Sequence, residues 1–255
     1  MNKAKYIYPF LLFMLLISCK SEQNTKGVDQ NINLAADGFN IEDSDPVAIK
    51  IADQVMEAMG GRSAYDESRY LGWNFFGSRK HIWDKQTGNV RIESQKDDFS
   101  LVMNIHNLEG KVKKDGALMS HPDSLSKYLQ KGKEMWINDA YWLIMPFKLK
   151  DSGVTLTDLG EEKTDSTDYR ILGLTFENVG VTPDNKYHIF VDRQTNLITQ
   201  WSFYRNATDS IPGFTTPWTD YKQYGKILLS GNRGKYQLSD IEIMESVPDG
   251  TFTEL

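Results

Sequence analysis

The sequence predicts an α+β fold dominated by antiparallel strands. Three observations carry that prediction. Apolar residues alternate with a period of two through most of the chain beyond residue 69, helical spacing is confined to a stretch near residues 46–59 and another after residue 121, and turn residues punctuate the apolar runs at short intervals. No self-similarity recurs at a period of roughly 20–50 residues, which argues against a solenoid or propeller. A chain of 255 residues is long enough for one large domain, and residues 45–255 are expected to form it.

The elements follow in order. Asp45-Pro46 starts the first helix: an N-cap acid followed by proline at the first helical position leaves no useful backbone donor wasted. Ile49, Ala52, Val55, Met56 and Met59 then repeat at helical spacing, and Gly60-Gly61 supplies the stop. Beyond the glycines the period changes. Leu71, Trp73 and Phe75 alternate with Tyr70, Gly72, Asn74 and Phe76, which identifies a strand. Residues 81–83 and 90–93 flank a turn at 84–88, and Phe99, Leu101, Met103 and Ile105 mark the next strand of a meander. Pro122 opens a helical stretch through Leu125, Tyr128 and Leu129, with a second short piece reaching Met135-Trp136. Residues 138–150 form the densest aromatic and apolar block, and Pro146 makes that block a poor strand or helix interior.

The second half returns to strands at 154–159, 169–176, 187–192 and 197–204, the last two joined at Arg193-Gln194-Thr195-Asn196. A Pro/Gly-rich loop is expected over 211–218. Runs at 219–229 and 237–246 then make a final hairpin about Gly231-Asn232-Arg233-Gly234.

The N-terminus is organised differently. Lys3 and Lys5 precede an apolar run from Tyr6 to Ile17 that is too short to span a bilayer comfortably, and Cys19 follows it. Residues 1–18 thus read as a secretory signal. The block Leu16-Ile17-Ser18-Cys19 resembles the bacterial lipobox, which implies a diacylglycerol thioether on Cys19, cleavage before it, and a mature protein held on a membrane by acyl chains such as palmitate without crossing it. Residues 20–43 are polar and turn-forming, so residues 19–44 are expected to be a lipidated cysteine and flexible tether.

Composition excludes several classes of function. Cys19 is the only cysteine, which rules out a disulfide framework, a zinc ribbon and a cysteine nucleophile in the mature domain. The net charge of -6 and the lack of a Lys/Arg cluster argue against a nucleic-acid partner. His81, His106, His121 and His188 form no short-spaced metal motif, so scattered, hydrogen-bonded histidines are expected. Glu161-Glu162 reads as a solvated hairpin tip, and neither a Gly-x-Ser-x-Gly elbow nor a phosphate-cradling Gly-Lys-Ser/Thr loop occurs. No enzyme and no cofactor is nominated.

With this order of elements, the chain resembles the LolA/LolB-like proteins, periplasmic lipoprotein carriers and related envelope lipoproteins. The resemblance lies in Ala58-Met59-Gly60-Gly61, in the hairpin Tyr187-His188-Ile189-Phe190-Val191-Asp192-Arg193-Gln194-Thr195-Asn196-Leu197-Ile198, in the following strand Asp220-Tyr221-Lys222-Gln223-Tyr224-Gly225-Lys226-Ile227-Leu228-Leu229, and in Val247-Pro248-Asp249-Gly250-Thr251-Phe252. It covers most of residues 45–252. Residues 141–149 look closer to uncharacterised Gram-negative lipoproteins than to the carriers. The resemblance implies a curved antiparallel sheet, an open half-barrel, with an N-terminal helix and a helical insert covering the concave face and a cavity that can hold acyl chains. The dedicated carrier is soluble, whereas Cys19 would tether this chain to the inner or outer membrane.

Six Trp, twelve Tyr and twelve Phe need a place in such a fold. Trp73, Phe75, Trp83, Trp136, Trp142, Phe147, Trp201 and Phe203 are the candidate cavity residues. A filled core would pack them against one another, and a cavity would leave some of them lining it for an apolar ligand. Two functions follow. The first is a non-catalytic, membrane-tethered protein that binds a lipid or other hydrophobic ligand. The second is an envelope scaffold or accessory protein acting through its surface. A hydrolase with an unfamiliar site comes last.

Overall fold

The computed structural model describes Met1 and residues 33–94, 96–164, 168–177 and 184–255. Apart from Met1, the expected signal segment and Cys19 lie outside the described residues. The expected tether is described only from residue 33, and that part is packed: Phe39 is buried, and the amides of Ala36, Asn40 and Asp45 donate to the carbonyls of Lys150, Val154 and Leu156.

Helix α1 (Pro46–Ala58) buries Ala48, Ile51, Ala52, Val55 and Met56 along one stripe, as the helical spacing predicts. Asp45 does not cap it through its side chain. Its Oδ2 instead accepts the amide of Asp158 at 2.8 Å, which ties the start of the helix to a distant strand. Gly60 and Gly61 have φ of 108° and 86°, values that suit glycine, and they turn the chain into a short second helix, α2 (Gly61–Glu67). Helical spacing does not reveal α2, because its large buried side chain is Tyr65 alone.

The strands divide between two open antiparallel sheets. The larger contains β1 (Tyr70–Phe75), β2 (Arg79–Asp84), β3 (Asn89–Ser94), β4 (Phe99–Asn104), β5 (Gly110–Lys114) and β6 (Ala117–Leu118). It is completed by β12 (Thr219–Tyr224), β13 (Ile227–Arg233) and β14 (Tyr236–Met244), in the order β12-β13-β14-β1-β2-β3-β4-β5-β6. The smaller contains β7 (Val154–Lys163), β8 (Asp168–Phe176), β9 (Lys186–Asp192), β10 (Ile198–Tyr204) and β11 (Phe214–Pro217), in the order β11-β10-β9-β8-β7. The fold is therefore α+β and β-dominated, with neither sheet closed. Period-two alternation sets the register: Trp73, His81, Ile92, Leu101 and Val112 stand opposite one another from β1 to β5, and all five are buried. In the smaller sheet Leu172, Ile189 and Trp201 form an equivalent row. Helices and both sheets share one buried cluster.

Four expectations are corrected. A single helix, α3 (Pro122–Ile144), replaces the two pieces expected after Pro122, and the aromatic block 141–144 is its last turn. Pro146 enters the 3-10 turn Met145–Lys148 that ends it, as a residue with no amide to donate must. The loop 211–218 contains strand β11, and the run 219–229 is itself a hairpin bent at Gly225, where φ is 56°. Glu161 and Glu162 are exposed but paired within β7, opposite Arg170 and Tyr169.

Candidate functional site

A cavity of about 510 Å³ lies between the C-terminal half of α3 and the smaller sheet. The helix contributes Trp136, Tyr141, Trp142 and Ile144, and the sheet contributes Phe176, Tyr187, Trp201, Phe203 and Phe214. Trp83 reaches it from β2, edge-on to Trp136 at 5.0 Å between ring centroids. The rings form a continuous wall. Trp201 stacks on Tyr187 at 4.9 Å and meets Trp142 edge-on at 4.7 Å, while Trp142 also faces Phe214 and Phe76. Phe214 and Tyr236 are partly open to solvent at 39% and 46%, so the aromatic wall continues to the protein surface.

The polar part of the lining is small. Lys148 and Asp151 are its charged side chains and pair with each other; Asn138, Ser152 and Asn185 accompany them. Burial pushes the Tyr141 phenol well above its usual range, so it remains a neutral hydroxyl. Burial also raises Tyr187, against a hydrogen bond with Asn185 that opposes the shift. The indole Nε1 atoms of Trp83, Trp136 and Trp201 and the Tyr141 hydroxyl are buried without a hydrogen-bond partner.

Two polar anchors fix α3 over the sheets. Asp139, fully buried, accepts from Arg79 Nε and Nη2 at 2.6 and 2.8 Å and from His81 Nε2 at 2.7 Å. Burial alone would raise the Asp139 carboxyl, but the Arg79 and His81 hydrogen bonds hold it below its usual value. Burial pushes His81 down despite that carboxylate, whose charge Arg79 already balances. His81 is accordingly neutral, with its proton on the nitrogen facing Asp139 and its ring stacked on Trp73 at 4.5 Å. Three residues further along the helix, the buried Arg233 donates to the Trp142 carbonyl at 2.7 Å and lies 3.4 Å over the Trp218 ring. Burial pushes its pKa down to about 9.

Of the eight candidate aromatics, the structure brings Trp83, Trp136, Trp142, Trp201 and Phe203 to the cavity. The other three pack elsewhere. Trp73 covers His81, Phe75 stacks on Phe76 beneath Arg79, and Phe147 stacks on Tyr65 at 4.4 Å. Tyr141, Phe176, Tyr187 and Phe214 also line the cavity and are not among those eight. Cross-strand parity carried the missing signal for Tyr187, since it stands opposite Phe203 in the register. The Arg79–His81–Asp139 cluster has no sequence signal, because Asp139 lies 60 and 58 residues from Arg79 and His81.

No family model and no curated protein matches the chain. Among solved structures, it is similar to a DUF1329 family protein from Desulfovibrio piger (12% identity, 80% of this chain and 96% of that one, TM-score 0.43). It is also similar to a LolA superfamily protein from Nitrosomonas europaea (13%, 81% and 97%, TM-score 0.40) and to the Mycobacterium tuberculosis lipoprotein LppX (12%, 80% and 99%, TM-score 0.29). Likenesses of this order leave the fold resting on its own strand order and pairing.

Proposed function

We propose that this is a lipid-anchored envelope protein that holds a lipid or other apolar molecule in the cavity beneath α3 without transforming it. The observation that carries the reading is the cavity itself. Its volume of about 510 Å³ falls within the roughly 300–1,000 Å³ of small-molecule sites, and its wall is mostly aromatic with a few polar groups at fixed points. Burying apolar ligand surface there is favourable by about 25 cal/mol per Å² before the costs of association. The anchor rests on Cys19 in Leu16-Ile17-Ser18-Cys19. No described helix is long and apolar enough to cross a membrane.

The test is titration with the neutral fluorescent probe N-phenylnaphthylamine. Trp142 is half-buried and shared between the cavity wall and the surface aromatics, so Trp142→Ala is expected to weaken probe binding about tenfold, a loss of roughly 1.4 kcal/mol. The accompanying loss of stability should be smaller than the about 3–5 kcal/mol of a fully buried Trp→Ala change. A wild-type protein that binds no probe and copurifies with no lipid would leave the scaffold reading in its place. For the anchor, metabolic labelling with palmitate should mark wild type and spare Cys19→Ser; equal labelling of both refutes it.

A further inference from the structure

We infer that the aromatic rim of the cavity docks on the surface of a phospholipid bilayer, so that the cavity opens onto the membrane. The inference rests on the cavity and anchor readings above and adds the surface through which the cavity is filled. Three turns border the rim: residues 76–78 between β1 and β2, residues 205–213 between β10 and β11, and residues 234–235 between β13 and β14. Phe76 stacks on Tyr236 at 4.9 Å between ring centroids and meets Trp142 edge-on at 5.2 Å, and Trp142 in turn faces Phe214, which lines the cavity. Ile211, in the loop that leads into Phe214, is 79% exposed. Exposed apolar side chains grouped in this way mark an interaction surface, whereas scattered ones do not. Backbone strain is also concentrated here. Phe76 and Gly77 are the central pair of a two-residue hairpin turn with φ of 54° and 65°, closed by the Ser78 amide donating to the Phe75 carbonyl at 2.9 Å. Asn-Gly adopts that geometry readily and a phenylalanine does not, so the Phe76 ring is held at the rim against its backbone preference.

The chemistry of the rim selects a bilayer over a protein partner. Aromatic rings with a polar tip, flanked by cations, match the headgroup level of a membrane. Arg205 and Lys235 are exposed cations of these turns, and the Lys235 ammonium lies 5.0 Å from the Tyr236 ring centroid. The one acid of the three turns, Asp209, accepts from the Asn206 amide at 2.9 Å. On a chain of net charge -6 this is a local cationic bias, and it complements lipid phosphates. So small a patch would hold a free protein on a membrane only weakly. Residues 20–32, between Cys19 and Asn33, reach at most about 45 Å at full extension, so the anchor supplies the local concentration at which a weak contact persists. An apolar occupant then passes between bilayer and cavity without crossing water.

The experiment uses the full-length acylated protein in phosphatidylcholine vesicles. Acylation blocks the natural cysteine, so a thiol-reactive nitrobenzoxadiazole label reports one introduced site. Ile211→Cys and Tyr236→Cys put the label on the rim. Leu159→Cys puts it on β7, at the opposite edge of the smaller sheet from β11, where the native side chain is 43% exposed. None of the three positions lines the cavity, so the fold should be retained. Nitroxide-labelled phosphatidylcholine is expected to quench the two rim labels severalfold more than the label at position 159. With anionic phosphatidylglycerol in the vesicles, Lys235→Glu should lower the ratio of docked to undocked protein about fivefold, the share of one cation near an anionic surface. Equal quenching at all three positions overturns the inference and leaves the cavity reading intact. Rim labels that enter an apolar environment without being quenched by the lipid would put a second protein on the rim, which overturns it as well. A wild-type protein that takes up the label has a free Cys19, and that result removes the anchor reading and this inference with it.

Discussion

Asp139 shows how much a single side chain sets in this protein. It joins a helix to two successive inward positions of β2 and is satisfied from both, so removing its charge leaves the half-buried Arg79 guanidinium without its carboxylate. Asp139→Asn is expected to destabilise the fold by about 3–5 kcal/mol, measured by urea denaturation. Loss of under about 1 kcal/mol would show that the cluster is solvated. His81 adds a pH dependence whose sign follows from its burial. Its folded pKa lies below the unfolded value of 6.5, so the unfolded chain binds more protons in the window between them. The stabilisation is fully present above that window and is lost as pH falls through about 6.5. The urea midpoint should therefore drop between about pH 7.5 and pH 5.5 in wild type, and drop less in His81→Gln, which keeps an amide donor for Asp139. His188, held down by burial and by Lys186, titrates alike in both proteins, so the difference isolates His81. Identical slopes would show that His81 is accessible and unshifted.

Among the elements, those with a clean period were legible in the sequence and those held by distant partners were not. α1, its glycine stop and the strands β1 to β4 and β7 to β10 follow from spacing and turn residues, because each buries one face. α3 does not. Gln130, Lys131, Gly132, Lys133 and Glu134 interrupt its apolar spacing, and continuity comes from the close approach of Gly132 to the sheet, where an added Cβ would fall 2.4 Å from Leu101 Cδ2. Strand β11 is equally hidden, since Pro212, Gly213 and Pro217 read as a loop and only pairing with β10 makes the segment a strand. The turn between α1 and α2 separates two causes that the sequence merges into one Gly-Gly signal. At Gly60 a Cβ would meet the Lys226 backbone oxygen at 2.5 Å, whereas at Gly61 its nearest neighbour is a Glu57 carboxylate oxygen 3.6 Å away. Gly61→Ala should cost only the left-handed backbone penalty of about 1–2 kcal/mol. Gly60→Ala adds displacement of β13's entry turn and should cost about 1–3 kcal/mol more. Thermal denaturation of the pair checks this, and equal losses would mean that the backbone of residue 226 yields freely.

At the scale of the whole molecule, the cavity depends on both sheets and α3 meeting around one core, which is why five of the eight aromatics expected there line it and three do not. Parity could place each ring on a face of its own strand; it could not tell which part of that face lies beneath a helix. The same long-range packing decides where the domain begins. The sequence marks Asp45 as the first ordered residue, because the first capped helix starts there and residues 20–43 carry no periodicity. In the structure, residues 36–45 run alongside 150–158: Phe39 enters the shared core, Ser44 Oγ accepts the Leu156 amide at 3.0 Å, and Asn40 Nδ2 donates to Thr155 Oγ1 at 3.0 Å. Upstream of these, Asn33 Oδ1 accepts the Arg62 amide at the start of α2. Polar composition concealed the segment, since its contacts are hydrogen bonds of backbone and polar side chains alike and its one large buried side chain is a single phenylalanine. A chain beginning at Asn33 should accordingly unfold cooperatively at the temperature of the full mature protein. One beginning at Asp45 loses Phe39 together with these hydrogen bonds, and its unfolding free energy should be lower by about 3–5 kcal/mol, the cost of deleting a buried aromatic. Differential scanning calorimetry of the two truncations distinguishes the boundaries: coincident transitions would make residues 33–44 a dispensable tether, and a depressed or absent transition for the shorter chain would make them part of the domain.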